Sequence, residues 1–87
     1  MLDRVTSSIS DRITSLVQSI LKKRSIDRSI GRNDDLGDSG ISSLDLVNLM
    51  LAIEAEFEIK IPDGDMTPSN FRTVARIDAL VERLLAA

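Results

Sequence analysis

The sequence predicts an all-α fold: three longer helices, one short helix and a long first loop, folded as a four-helix bundle. Three observations support this. Apolar residues recur at the three-and-four spacing of a helix face in three separate stretches. A Gly- and Asp-containing stretch without periodicity separates the first two. Hydrophobic residues make up 43% of the chain and aromatics only 2%, so the core must be built from Leu, Ile and Val around Phe57 and Phe71.

The first helix is expected over about Asp3 to Arg24, where Val5, Ile9, Ile13, Leu16, Val17, Ile20 and Leu21 fall on one face. Lys22, Lys23 and Arg24 stand near its end, where cations complement the carbonyl end of the helix dipole. From Ser25 to Ile41 the periodicity is lost, and Gly31, Gly37 and Gly40 lie among several Asp residues. Loops of this length are usually functional or mobile.

A second helix should run from about Ser43 to Glu58, with Ser42 or Ser43 as N-cap and Asp45 completing a capping box with Ser42. It carries two apolar stripes. Leu46, Leu49, Met50, Ile53 and Phe57 form one, while Leu44, Val47 and Leu51 form another displaced around the axis. The second stripe is either part of a widely buried helix or a docking surface, and its closeness to Ser43 favours docking. Ile59, Ile61 and Pro62 then close the end of the bundle. Pro68 with Thr67, Ser69 and Asn70 predicts a short helix that carries Phe71 inward. Thr73 caps a last helix through Val74, Ile77, Leu80, Val81, Leu84 and Leu85.

With 87 residues the chain is expected to form one domain, 1–87, without room for a separate deep catalytic cleft. It contains no cysteine and no histidine, which excludes disulfides, Cys- or His-based metal sites and most hydrolytic constellations. No catalytic residue can be named, and the chain is not expected to be an enzyme. A net charge of -3 argues against nucleic acid as a partner. The absence of a long apolar run or a signal-type N-terminus at Met1-Leu2-Asp3-Arg4 points to a cytoplasmic protein without a membrane span, a monomer by default.

Two motif matches fail on their chemistry. An EF-hand loop counted from Asp35 places Gly40 correctly, but Gly37 stands at the third position and Leu46 where the bidentate Glu belongs. Gly37-Asp38-Ser39-Gly40 matches a serine-protease nucleophile box in a chain that has no histidine to serve as its base.

The order of elements, with Asp38-Ser39-Gly40-Ile41-Ser42-Ser43-Leu44 at the start of the second helix, resembles an acyl carrier protein across nearly the whole chain. Glu54-Ala55-Glu56-Phe57 followed by Ile59-Lys60-Ile61-Pro62 is similar to the Glu-x-x-Phe and Ile-Pro pair that ends the same helix in that family. The resemblance implies that Ser43 carries phosphopantetheine, transferred from coenzyme A by a phosphopantetheinyl transferase. It implies a specialised, free-standing bacterial carrier that holds acyl groups as thioesters and presents them to acyl-transferring or synthase enzymes of fatty-acid, lipid or polyketide-type biosynthesis. Hydroxy or very long acyl chains and aminoacyl groups are further possible cargoes. The docking residues it implies are Leu44, Asp45, Val47, Leu51, Glu54 and Glu56.

The chain departs from the family at three positions: Ser42 replaces the usual Asp before the modified serine, and Asn48 and Ala55 replace common acidic docking residues. Docking should therefore depend more on Leu44, Val47 and Leu51. Ser39, in a second copy of the motif, is the decoy, because Gly40 follows it where Leu belongs. The competing function is an unmodified helical interaction module that uses the same apolar stripe.

Overall fold

The computed structural model describes residues 8–86. Helix α1 spans Ile9–Lys23, α2 Ser43–Phe57 and α3 Val74–Ala86, and there is no strand among the described residues. Helix α1 packs against both α2 and α3. The expected Val5 contribution lies outside the described residues.

Ser8 starts α1 through a capping box with Asp11: Ser8 Oγ accepts from the Asp11 amide, and the Asp11 carboxylate accepts from the Ser8 amide. The expected start at about Asp3 lies outside the described residues, and within them the Ser-x-x-Asp spacing caps the helix at Ser8. At the other end Ser25 adopts a left-handed conformation, φ 59°, and the Ile26 amide donates to the Leu21 carbonyl, closing the helix in Schellman fashion. Ile13, Val17 and Leu21 are fully buried, as their spacing requires.

Helix α2 keeps its expected boundaries to within one residue. Its inner stripe of Leu49, Met50, Ile53 and Phe57 is buried and Leu46 half-buried. Glu58 ends it in the left-handed region, φ 53°. Arg12 of α1 lies 4.4 Å over the Phe57 ring and pairs with Glu56 at 2.8 Å, which ties the two helices together on their outer edge.

The fourth helix of the expected bundle does not form. A single 3-10 turn at Asp63–Asp65 follows Pro62, and the segment around Pro68 is a series of turns. Within those turns the Asn70 amide donates to the Thr67 carbonyl and the Phe71 amide to the Pro68 carbonyl, Asn70 Nδ2 donates to the Asp65 carbonyl, and the Arg72 carbonyl accepts from the Leu36 amide. Phe71 nevertheless points inward and is fully buried. Thr73 caps α3 as expected, its Oγ1 accepting from the Arg76 amide at 3.1 Å.

The long first loop is anchored to the core. Ile30, Leu36 and Ile41 are buried within it. Gln18 of α1 clamps it from both sides, donating to the Arg28 carbonyl and accepting from the Ile30 amide. Arg32 and Ser10 meet the buried Asp78 of α3, so loop, α1 and α3 share one polar junction. Among the described residues no helix is long and apolar enough to cross a membrane.

Candidate functional site: the first turn of the second helix

Three serines compete for the role of attachment point, and local hydrogen bonding separates them. Ser39 is buried, and its Oγ donates to the Asp35 carbonyl at 2.9 Å. Ser42 is the N-cap of α2: its Oγ accepts from the Asp45 amide at 3.1 Å, and the Asp45 carboxylate accepts from the Ser42 amide at 3.1 Å. With the cap supplied by Ser42, Ser43 stands at the first position of α2 with an exposed side chain. The amides of this first turn and the positive end of the helix dipole favour an anion beside it.

The loop that delivers this turn is held by a close approach. Gly40 has φ +117°, and a Cβ placed there would come within 2.6 Å of Ile26 Cδ1. Only glycine meets both conditions. The Ile41 amide then donates to the Leu36 carbonyl, which sets the direction in which the chain enters α2.

Arg24, at the end of α1, braces the same turn from the other side. Its guanidinium pairs with both Asp45 oxygens, Nη2 to Oδ1 at 2.9 Å and Nε to Oδ2 at 2.8 Å. These hydrogen bonds, opposed by burial and joined by those from Ser42, hold the Asp45 carboxyl below the usual carboxylate range. Asp45, expected on the docking face, is therefore an internal brace only 6% exposed. Its carboxylate is turned to the Ser42 amide and to the Arg24 guanidinium, both of which donate to it.

The two other acidic docking candidates are also engaged. Glu54 is half-buried and accepts from the Ile61 amide at 2.8 Å, fixing the chain beyond α2, while the exposed Glu56 pairs with Arg12. Leu44, Val47 and Leu51, in contrast, keep 67%, 50% and 56% of their surface exposed along one face of α2 that begins beside Ser43.

A cleft of about 260 Å³ opens beside Ser43, between the start of α2 and the 68–72 turns, with Leu46, Phe71 and Arg72 among its walls. No group of three or more acidic side chains that could hold a metal ion exists among the described residues. Sequence reasoning did not single out Arg24, Arg72 or Gln18. Only the placement of Arg24 just past the end of α1 hinted at a role, and that hint pointed to the helix dipole.

Fold and site together define a helical carrier domain. The chain belongs to the phosphopantetheine attachment site family, whose model matches residues 11–82. Phosphopantetheine is accordingly its prosthetic group. The residues present fit it, because the exposed hydroxyl, the cleft and the anion-favouring helix start all coincide at Ser43.

Among its relatives, aminoacyl carrier protein 1 of Bradyrhizobium diazoefficiens is 37% identical over 75 residues, covering 86% of this chain and 83% of that protein. Aminoacyl carrier protein 2 of the same organism is 35% identical over 74 residues, covering 85% and 83%. The structure is similar to a chain in the crystal structure of Bradyrhizobium japonicum glycine:[carrier protein] ligase with its cognate carrier protein and an analogue of glycyl adenylate. There the TM-score is 0.69 at 37% identity, covering 91% of this chain and 97% of that one. For the same ligase with glycylated carrier protein the TM-score is 0.72 at 37% identity, covering 84% and 99%.

Proposed function

We propose that this chain is an aminoacyl carrier protein that bears phosphopantetheine on Ser43 and takes its cargo from an amino acid:carrier protein ligase. The observation that carries the attachment point is the division of labour among the serines: Ser39 is buried, Ser42 caps, and Ser43 alone of the three is left exposed without a structural duty. The names of the relatives support the cargo, and move it away from the fatty-acid, lipid and polyketide chains expected from the broader resemblance.

When bound, the prosthetic group supplies a thiol that holds the cargo as a thioester. The chain's own residues present and brace. Ser43 offers its hydroxyl, Asp45 and Arg24 hold the first turn of α2 rigid beneath it, and Gly40 lets the loop pass close to Ile26. Leu44, Val47 and Leu51 form the docking face for the ligase and for the transferase that modifies Ser43. Glu54 contributes at the edge of that face, while Glu56, paired with Arg12 on the α1 side of the helix, is the acidic group a partner that also reaches α1 would meet.

Incubation with coenzyme A, magnesium and a broad-specificity phosphopantetheinyl transferase should raise the mass by one arm in the wild type and not at all in Ser43→Ala. An unchanged wild-type mass overturns the reading in favour of an unmodified interaction module. Modified protein offered to an aminoacyl ligase with ATP and glycine should gain one aminoacyl group, which hydroxylamine removes. Acceptance of fatty acyl groups alone overturns the cargo assignment.

A further inference from the structure

One arginine beside Ser43 has no fixed structural partner. Arg24 is committed to Asp45 through two hydrogen bonds. Arg72, on the opposite side of the α2 start, is 62% exposed, and its Nε lies 4.0 Å from Asp35 Oδ2, at the outer limit of an ion pair. The backbone beneath that loose side chain is firmly placed. The Arg72 carbonyl accepts from the Leu36 amide at 2.9 Å, Phe71 before it is fully buried, and Thr73 after it caps α3.

Arg72, Asp35 and Ser43 line the same cleft, in which Arg72 is the one basic side chain and Asp35 the one acidic side chain among the described residues. Asp35 cannot easily turn to follow Arg72, because its Oδ1 accepts from the Asp38 amide at 3.0 Å. With Ser42 in place of an acid, no second carboxylate at the start of α2 faces the cleft to compete for the guanidinium.

We propose that Arg72 is a positioning residue for the prosthetic arm: its guanidinium leaves its long contact with Asp35 and pairs with the phosphodiester on Ser43, holding the root of the arm in the cleft. This rests on Ser43 as the attachment point. A phosphodiester carries a permanent negative charge and two free oxygens, the partner that a planar guanidinium meets with two parallel hydrogen bonds. Neutral Ser42 and the apolar Leu46 and Phe71 leave that charge no nearer cation in the cleft.

The test uses the full chain, modified enzymatically from coenzyme A, with the phosphorus resonance of the diester as readout. In the wild type this resonance is displaced from that of a free pantetheine phosphodiester and returns toward it as salt is raised. Arg72→Gln should remove both the displacement and the salt dependence, Arg72→Lys should restore part of the displacement, and Asp35→Asn should enlarge it by releasing the guanidinium. As a check independent of any variant's folding, the Arg72 side-chain Nε–H signal of the wild type should shift on modification, while that of Arg24 stays in place.

Failure of the wild type to gain the arm's mass overturns both the attachment point and this inference. A wild type that gains the mass, but whose Arg72 signal and phosphorus salt dependence match those of Arg72→Gln or of the free diester, overturns this inference alone.

Discussion

Along α2, Leu49, Ile53 and Phe57 are sealed in the core, whereas Leu44, Val47 and Leu51, no less apolar, keep half or more of their surface exposed. Hydrophobicity alone does not distinguish the two sides. The surroundings do: the inner side meets α1 and the anchored loop, while the outer side starts beside Ser43 and is left uncovered among the described residues. The difference teaches that the inner stripe stabilises the fold while the outer stripe does not, and if the outer stripe is the proposed docking face, mutations on the two sides should separate stability from transfer.

The largest effect is expected on the inner side. Ile53→Ala should lower unfolding free energy by about 3 kcal/mol in a denaturant titration, through lost burial and the cavity left behind. Leu51→Ala on the outer side should change it by less than about 0.5 kcal/mol. A comparable loss at both positions would break the contrast. Arg24→Met comes next, at about 2 kcal/mol, because the buried Asp45 carboxylate loses its charged partner. The reverse pattern applies to transfer: Leu51→Ala should reduce kcat/KM of the aminoacyl ligase for the carrier by about tenfold, the loss typical of an interface anchor, with kcat for free amino acid activation unchanged.

Asp45 gives a smaller effect with a defined direction. Its folded pKa lies below the ordinary carboxylate value, so the contribution is complete above that ordinary value and is lost as pH falls below it toward the folded pKa. An acid titration of stability should show this loss in the wild type and not in Asp45→Asn. The smallest change is a gain: Glu58→Gly relieves a left-handed residue that touches neither stripe and should stabilise by about 1 kcal/mol.

Where contacts are local, the sequence was a good guide. The Ser42–Asp45 box, the Thr73 cap, both stripes of α2 and the inward Phe71 all follow from spacings of a few residues, and the structure has each of them. Interactions between distant segments left no such trace. Arg24 with Asp45, Gln18 with the loop, and Leu36 with Arg72 join positions that no periodicity links, and through them a stretch without pattern becomes part of the core. The short segment around Pro68 stays a set of turns, and of its bonds only the one from the Leu36 amide to the Arg72 carbonyl comes from a distant segment. Ser8-x-x-Asp11, four residues that form the capping box of α1, is likewise a local spacing. For Asp45 the spacing showed the cap but not Arg24, the distant partner that buries its carboxylate.

The acidic groups of α2 have their charges satisfied within the molecule, Asp45 by Arg24 and Glu56 by Arg12, while Glu54 holds the Ile61 amide. On the proposed docking reading, a partner approaching this helix therefore meets two carboxylates already paired, and the pull of those two on a basic partner should be weak. Fidelity would then rest on how long such a complex survives once Leu44, Val47 and Leu51 are seated, a matter of residence time more than of encounter.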